Sequence, residues 1–195
     1  LSKKLISEYL SRHLLVLDAM AKNNNILTRI SYAASLIHVC SKTGHRVFVC
    51  GNGGSAGDAQ HLVGEFLGSF EGHELGIKAE CLNSNTSTLT AIANDFGYDE
   101  VFSHQLKTQA TEGDILFAIT TSGKSENILK ALKTAESLGM TTILLTGNKY
   151  VPRADNGCDY LISVPSEETP VIQEMHITLC HALCMQLIAL GKNLE

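Results

Sequence analysis

Five short β-rich runs, Arg46–Cys50, Ile77–Leu82, Ile115–Thr120, Thr142–Thr146 and Tyr160–Val164, alternate with stretches of helical periodicity. Strands joined through helices return to the same end of a sheet and pair in parallel. Several of these runs are apolar on both faces, as strands covered by helices on each side must be. The expected fold class is therefore α/β, a three-layer α/β/α sandwich around a five-stranded parallel sheet, with a last helix from about Val171 to Leu190. In such sheets ligands bind beyond the carboxyl ends of the strands, so the residues just after each strand carry the functional question.

Two amphipathic patterns precede the sheet. One places Leu5, Leu10, Leu14 and Leu17 on a face, the other Ile26, Ile30, Ala33, Ile37 and Cys40. A leading helical pair of this kind can cover its own domain, dock on a neighbouring subunit, or do both. A length of 195 residues at 44% hydrophobic content suits one compact core and is short for two α/β domains. The expected organisation is a single domain over residues 1–195, with a helical pair at 1–42 and an α/β core at 46–190.

Lys and Arg total 15 against 20 Asp and Glu, a net charge of −5. That balance gives no electrostatic footprint for nucleic acid or for an anionic membrane, so an anionic ligand has to be held locally. The longest apolar runs fall well short of the roughly 20 residues needed to cross a bilayer, and the expected location is cytoplasmic. Six cysteines at 40, 50, 81, 158, 180 and 184 contain no CxxC and sit mostly in apolar stretches. They read as buried free thiols.

Two loops have the chemistry to hold a phosphate. The first, Gly51-Asn52-Gly53-Gly54-Ser55-Ala56-Gly57, follows the first strand and runs straight into a helix. Glycines there let backbone N–H groups approach a ligand, and a helix start favours negative charge. The stretch fits GxGxxA, but the acidic ribose-binding residue of a dinucleotide site is missing: Glu80 lies inside the next strand. The second loop, Thr120-Thr121-Ser122-Gly123-Lys124-Ser125, sets four hydroxyls around a glycine before another helix. It mimics the end of a nucleotide-binding P-loop, but Ala118 stands where the first glycine is required. Neutral hydroxyls and backbone amides suit a phosphate monoester instead.

His61 and Glu65, spaced i, i+4, lie about 40° apart on the helix after the glycine loop and can share one metal or one substrate. On the last helix Gln173, Glu174, His176 and His181 form a polar group inside an apolar stretch. Imidazole and carboxylate donors suit zinc. Gln173 and His181 are separated by roughly 12 Å of helix rise, and spacing alone does not say how the two helices pair. His13, His38, His45 and His73 read as ordinary core or surface histidines. A phosphate anchor beside groups able to move a proton between adjacent carbons is what sugar-phosphate isomerisation through an enediol requires.

The run Cys50–Ser55 with Asp58-Ala59-Gln60-His61 and Glu65, then Asn94-Asp95-Phe96-Gly97, Thr120–Ser125, and Ile172-Gln173-Glu174-Met175-His176 with His181 resembles the bacterial phosphoheptose isomerases of the sugar isomerase (SIS) domain class. The resemblance covers nearly the whole chain. It implies a flavodoxin-like SIS fold, a homotetramer with sites near subunit interfaces, and conversion of sedoheptulose 7-phosphate to D-glycero-D-manno-heptose 7-phosphate, early in heptose supply for lipopolysaccharide or capsule. It further implies one Zn2+ per subunit on His61, Glu65, Gln173 and His181, with Glu65 and His181 as the proton-transfer pair. Substrate contacts would come from Asn52, Gly53, Gly54, Ser55, Glu65, Asn94, Asp95, Thr120, Thr121, Ser122, Ser125 and Gln173. The chain departs from the usual pattern at Ser69, where an arginine is common, at Glu74-Leu75 in place of Arg-Pro, and at Asn85 in place of aspartate. The alternative within the same class is a non-catalytic SIS protein that binds a replication initiator or senses a sugar phosphate. As the pattern is understood, the initiator-binding protein does not retain the positions of Glu65 and His181, and both are present here.

Overall fold

A computed structural model describes residues 3–148 and 157–192 of the chain. Helices α1 (Lys3–Ala21) and α2 (Asn24–Lys42) lead into β1 (Val47–Gly51) and α3 (Gly54–Leu67). A two-residue hairpin, β2 (Ser69–Phe70) and β3 (His73–Glu74), then precedes β4 (Ala79–Cys81), α4 (Thr86–Phe96) and α5 (Ser103–Gln109). The chain continues through β5 (Ile115–Ile119), α6 (Glu126–Ser137), β6 (Thr141–Gly147), β7 (Tyr160–Val164) and α7 (Thr169–Lys192). The five expected strands form one sheet in the order β4-β1-β5-β6-β7, every pair parallel. Among the described residues the small hairpin is the one sheet element the sequence pattern does not announce, because two residues per strand are too few for any period to show.

Alternation along the strands separates two cores. Val47, Val49, Ile115, Phe117, Ile119, Ile143 and Leu145 face α2, α3 and α7, whereas Phe48, Cys50, Leu116, Ala118 and Leu144 face the layer built from α4, α5 and α6. This is the three-layer sandwich. Helix α7 is, by length and composition, long and apolar enough to cross a membrane. It serves here as the central core helix, with Val171, Met175, Leu179, Leu183 and Leu187 buried against the sheet and its flanking helices.

The two leading helices behave differently. The apolar stripe of α2 is buried as its period predicts, with Ile26, Ile30, Ala33, Ile37 and Cys40 all inside. Leu5, Leu10 and Leu14 of α1 are each more than half exposed, and Ile6 and Leu15 stand out beside them. Polar contacts fasten α1 to its own subunit: His13 pairs with Glu174, Tyr9 donates its hydroxyl to Glu174 at 3.1 Å, and Arg12 bridges Glu168 at 2.7 Å.

The edge of the sheet opposite the glycine loop is locked by a buried carboxylate. Asp114, 4% exposed, accepts from the backbone N–H groups of Arg46 and Thr111, both at 2.8 Å, and from the Thr111 hydroxyl at 3.2 Å. Those bonds start β1 and β5 in register. Removing the acceptor leaves two part-buried amides without it, so Asp114→Ala is expected to cost about 1–3 kcal/mol, read as a lower urea midpoint with an unchanged slope. An unchanged midpoint would show that the register is set without it.

Candidate active site

Strand order puts the site in place. From β1 the chain moves outward to β4, then returns to lay β5 on the other side of β1. The helices that follow β1 and β5 therefore diverge to opposite faces, leaving a crevice at the carboxyl ends of these two strands. Both candidate phosphate loops open into it, one after Gly51 and the other after Ile119, which are register partners.

The glycine loop is packed too tightly for side chains. A Cβ on Gly51 would lie 2.3 Å from the Ser55 carbonyl oxygen, and one on Gly54 would lie 2.3 Å from Gln173 Nε2. Gly53 has φ 57°, in the left-handed region, and caps α3 without any side-chain bond. Ser55 is buried. In the hydroxyl loop Gly123, at φ 64°, donates its N–H to Thr120 Oγ1 at 3.3 Å, and Lys124 donates to Ser122 Oγ at 3.2 Å. Ser125 caps α6 through its backbone, with no side-chain cap bond. Both helix starts are thus free of side-chain caps, and their N–H groups face the crevice end of the sheet. Asn94 and Asp95 lie on the last turn of α4, bonded to each other at 2.8 Å and exposed.

Helices α3 and α7 run side by side in the same direction, Gln173 level with Gly54 and His181 level with His61. His61 Nε2 lies 3.0 Å from Glu65 Oε1 and 3.3 Å from His181 Nε2, and donor atoms of all three residues fall within 4.8 Å of one another. Tetrahedral zinc with bonds of about 2.0–2.1 Å has donor-to-donor edges of about 3.3 Å, so these separations suit one shared ion. Gln173 is brought to the same helix pair about two turns away, its amide resting on Gly54. The thiols of Cys180 and Cys184 line the same helix interface, and burial pushes both up, Cys184 to about 12, which leaves them protonated and poor ligands.

Sequence reasoning missed four neighbours of these residues. Phe70, from the hairpin after α3, stacks on the His181 ring at 5.4 Å. Asn83 holds the Gly51 backbone from both sides, accepting from its N–H at 3.1 Å and donating to its carbonyl at 2.8 Å. Asn127 and Tyr98 bond the Asn52 side chain. None belongs to a spacing motif; Asn83 alone had a signal, as a polar residue ending a strand at the crevice. Ser69 and Glu74, two of the positions departing from the family pattern, are direct register partners in the hairpin. Glu80, which a dinucleotide site would need free, is paired with Arg46 at 3.1 Å.

Two titratable groups, Asp58 half-buried and His176 fully buried, flank the helix interface with opposite effects. Asp58, one turn before His61, has an Oδ2 with no partner, and burial raises its carboxyl to about 6 although His61 acts to lower it. His176 is fully buried with neither ring nitrogen bonded, and burial lowers it to about 4. The Thr146 backbone lies near enough to favour the charged ring slightly but falls short of a hydrogen bond, so burial wins.

The chain belongs to a known family by direct comparison. The SIS domain family model matches residues 8–147. The phosphoheptose isomerase of Burkholderia pseudomallei is 43% identical over 169 residues, covering 87% of this chain and 85% of that one. That of Aliarcobacter butzleri is 47% identical over 143 residues, 73% and 75% of the two chains. The solved phosphoheptose isomerase of Neisseria gonorrhoeae superposes with a TM-score of 0.86 at 34% identity, covering 96% of this chain and 98% of that one.

The two titrations give signs that can be measured on metal-free protein. Asp58 holds a native proton that the unfolded chain loses near 3.8, so its contribution is present below that pH and is lost as pH rises through about 6. Asp58→Asn should therefore gain stability over the parent above pH 6 and lose that gain below pH 4. His176 is reversed: its contribution is present above 6.5 and is lost as pH falls to about 4. His176→Leu should remove that acid-side loss, on the order of 2–3 kcal/mol. Differences from the parent that do not vary with pH would refute both assignments. With the fold, the converging His61, Glu65 and His181 and the relatives all in agreement, the chain belongs to the phosphoheptose isomerases of the SIS domain family, sugar-phosphate isomerases.

Proposed function

We propose that the chain interconverts sedoheptulose 7-phosphate and D-glycero-D-manno-heptose 7-phosphate, with Glu65 and His181 as the proton-transfer pair. The observation that carries this reading is the convergence of Glu65, His61 and His181 between α7 and α3, the helix whose uncapped start opens into the crevice opposite that of α6. An acidic chain holds the phosphate without a cationic patch by directing backbone N–H groups and hydroxyls at it, with Ser122, Thr120, Thr121 and Ser125 taking the ester and Asn52 to Ser55, Asn94 and Asp95 the sugar.

In the forward direction one of the pair removes a proton from C1 of the ketose as O2 gains one, giving a 1,2-enediol that keeps its O1 proton. Delivery of a proton to C2 as the O1 proton leaves then completes the aldose, so atoms and electrons balance with no redox partner. His61, Glu65 and His181 would hold zinc, and Gln173 would join them by swinging its amide away from Gly54. When bound, zinc would polarise the carbonyl side of the substrate. Phe70 keeps the His181 ring oriented toward the cluster.

We further read the chain as one SIS domain with its leading helical pair, working in the cytoplasm as a homotetramer. The outward apolar stripe of α1 supports assembly, since Leu5, Ile6, Leu10, Leu14 and Leu15 form a patch that another copy would cover. Sedimentation velocity should find a tetramer, and Leu10→Glu with Leu14→Glu should break it down; a monomeric parent would contradict the assembly.

The activity is tested by incubating zinc-loaded protein with sedoheptulose 7-phosphate, fructose 6-phosphate and ribulose 5-phosphate and following aldose formation by NMR. Conversion of the heptulose alone is expected. Glu65→Gln and His181→Gln should each lower kcat by about 10²–10⁴-fold with the oligomer intact. Substantial turnover in both variants would remove the pair from the chemistry.

A further inference from the structure

The Asn52 side chain is held by a closed set of bonds. Asn52 Nδ2 donates to Asn127 Oδ1 at 2.8 Å, and Asn127 Nδ2 donates back to Asn52 Oδ1 at 2.9 Å. The Tyr98 hydroxyl donates to the same Oδ1 at 3.0 Å. A primary amide has two N–H donors and an oxygen with two lone pairs. Both lone pairs of Asn52 are therefore taken, and one of its two hydrogens. What it has left for a ligand is a single N–H, in a fixed direction.

We propose that Tyr98 and Asn127 are positioning residues that make Asn52 a dedicated hydrogen-bond donor, so that the crevice selects an acceptor oxygen of the sugar phosphate at that point. This rests on the reading that a sugar phosphate binds between the two loops. An unclamped asparagine turns its amide over at little cost and offers oxygen or N–H alike. Here a flip would set Asn52 Nδ2 against the Asn127 amide nitrogen and leave the Tyr98 hydroxyl without its acceptor. A substrate group that can only accept, such as a carbonyl or phosphate oxygen, is favoured at this point.

The same bonds tie together three of the segments that carry candidate substrate contacts. Asn52 follows β1; Asn127, 3% exposed, is the second residue of α6, two beyond Ser125; Tyr98 lies three beyond Asp95, after Gly97 at φ 94°. The backbone beside Asn52 is held separately, by the Asn83 amide on Gly51. Loosening the clasp should therefore release the side chain of Asn52 without dismantling the loop.

The test uses the full-length, metal-loaded protein, titrated by calorimetry with sedoheptulose 7-phosphate brought beforehand to isomerisation equilibrium, so that the heat reports binding and not turnover. Tyr98→Phe should weaken binding about three- to tenfold, and Asn127→Ser by at least as much, with thermal midpoints close to the parent for Tyr98→Phe. Asn52→Asp keeps an acceptor oxygen for Tyr98 and the Asn127 amide nitrogen but removes both the N–H left for a ligand and the bond to Asn127 Oδ1, and should weaken binding by about tenfold or more. The deciding measurement is the double variant. If Tyr98 acts through the Asn52 N–H, adding Tyr98→Phe to Asn52→Asp should cost nothing further, whereas a general structural role would add its full effect. Equal affinity across parent and single variants, or additive losses in the double, would overturn the positioning role alone. No binding of sugar phosphate by the parent protein would overturn the functional reading and the clasp together.

Discussion

The full-length pairing of β1 with β5 determines most of what the molecule can do. Strands that are distant in sequence lie in register from Val47 with Ile115 to Gly51 with Ile119, so two chain reversals emerge side by side at one edge of the sheet. Each reversal starts a helix, and the two helices leave toward opposite faces. Parallel pairing within a buried sheet keeps every strand residue from Val47 to Gly51 and from Ile115 to Ile119 inside. The loops are consequently the first polar backbone the chain exposes, at the point where N–H groups lack partners. Asp114 at the other end of the same strands fixes the register that brings the loops level.

The second constraint is the parallel contact of α3 with α7. It follows from burying two apolar helix faces against the same side of the sheet, and it leaves only a narrow polar seam in which His61, Glu65 and His181 meet. Around that seam burial sets the protonation states: thiols are held protonated, His176 neutral, and Asp58 is reluctant to ionise. The titratable groups that converge between α3 and α7 are imidazoles and a carboxylate, the residue types suited to moving a proton near neutral pH.

Much of this was legible in the sequence because it depends on local periodicity or on local backbone chemistry. The five strands, the long last helix and the two loops follow from apolar runs and glycine spacing. His61 with Glu65 follows from i, i+4 geometry. The approach of His181 to His61 does not, because it depends on the rotation and level of two helices far apart in sequence. The role of α1 divides in the same way: its amphipathic period is plain, but only the packed structure shows that its stripe points outward while that of α2 points in. Phe70, Asn83, Tyr98 and Asn127 act through single long-range contacts, which leave no period and no motif to read.

The central claim is that a proton travels between C1 and C2 of a sugar phosphate by way of Glu65 and His181. Running the reaction of zinc-loaded protein with sedoheptulose 7-phosphate in D2O and reading C2 of the aldose by NMR tests it most directly. The account predicts deuterium at C2, because side chains open to solvent exchange their proton before returning it. Full conversion with only protium at C2, unaffected by Glu65→Gln and His181→Gln, would indicate direct transfer between the carbons and contradict it.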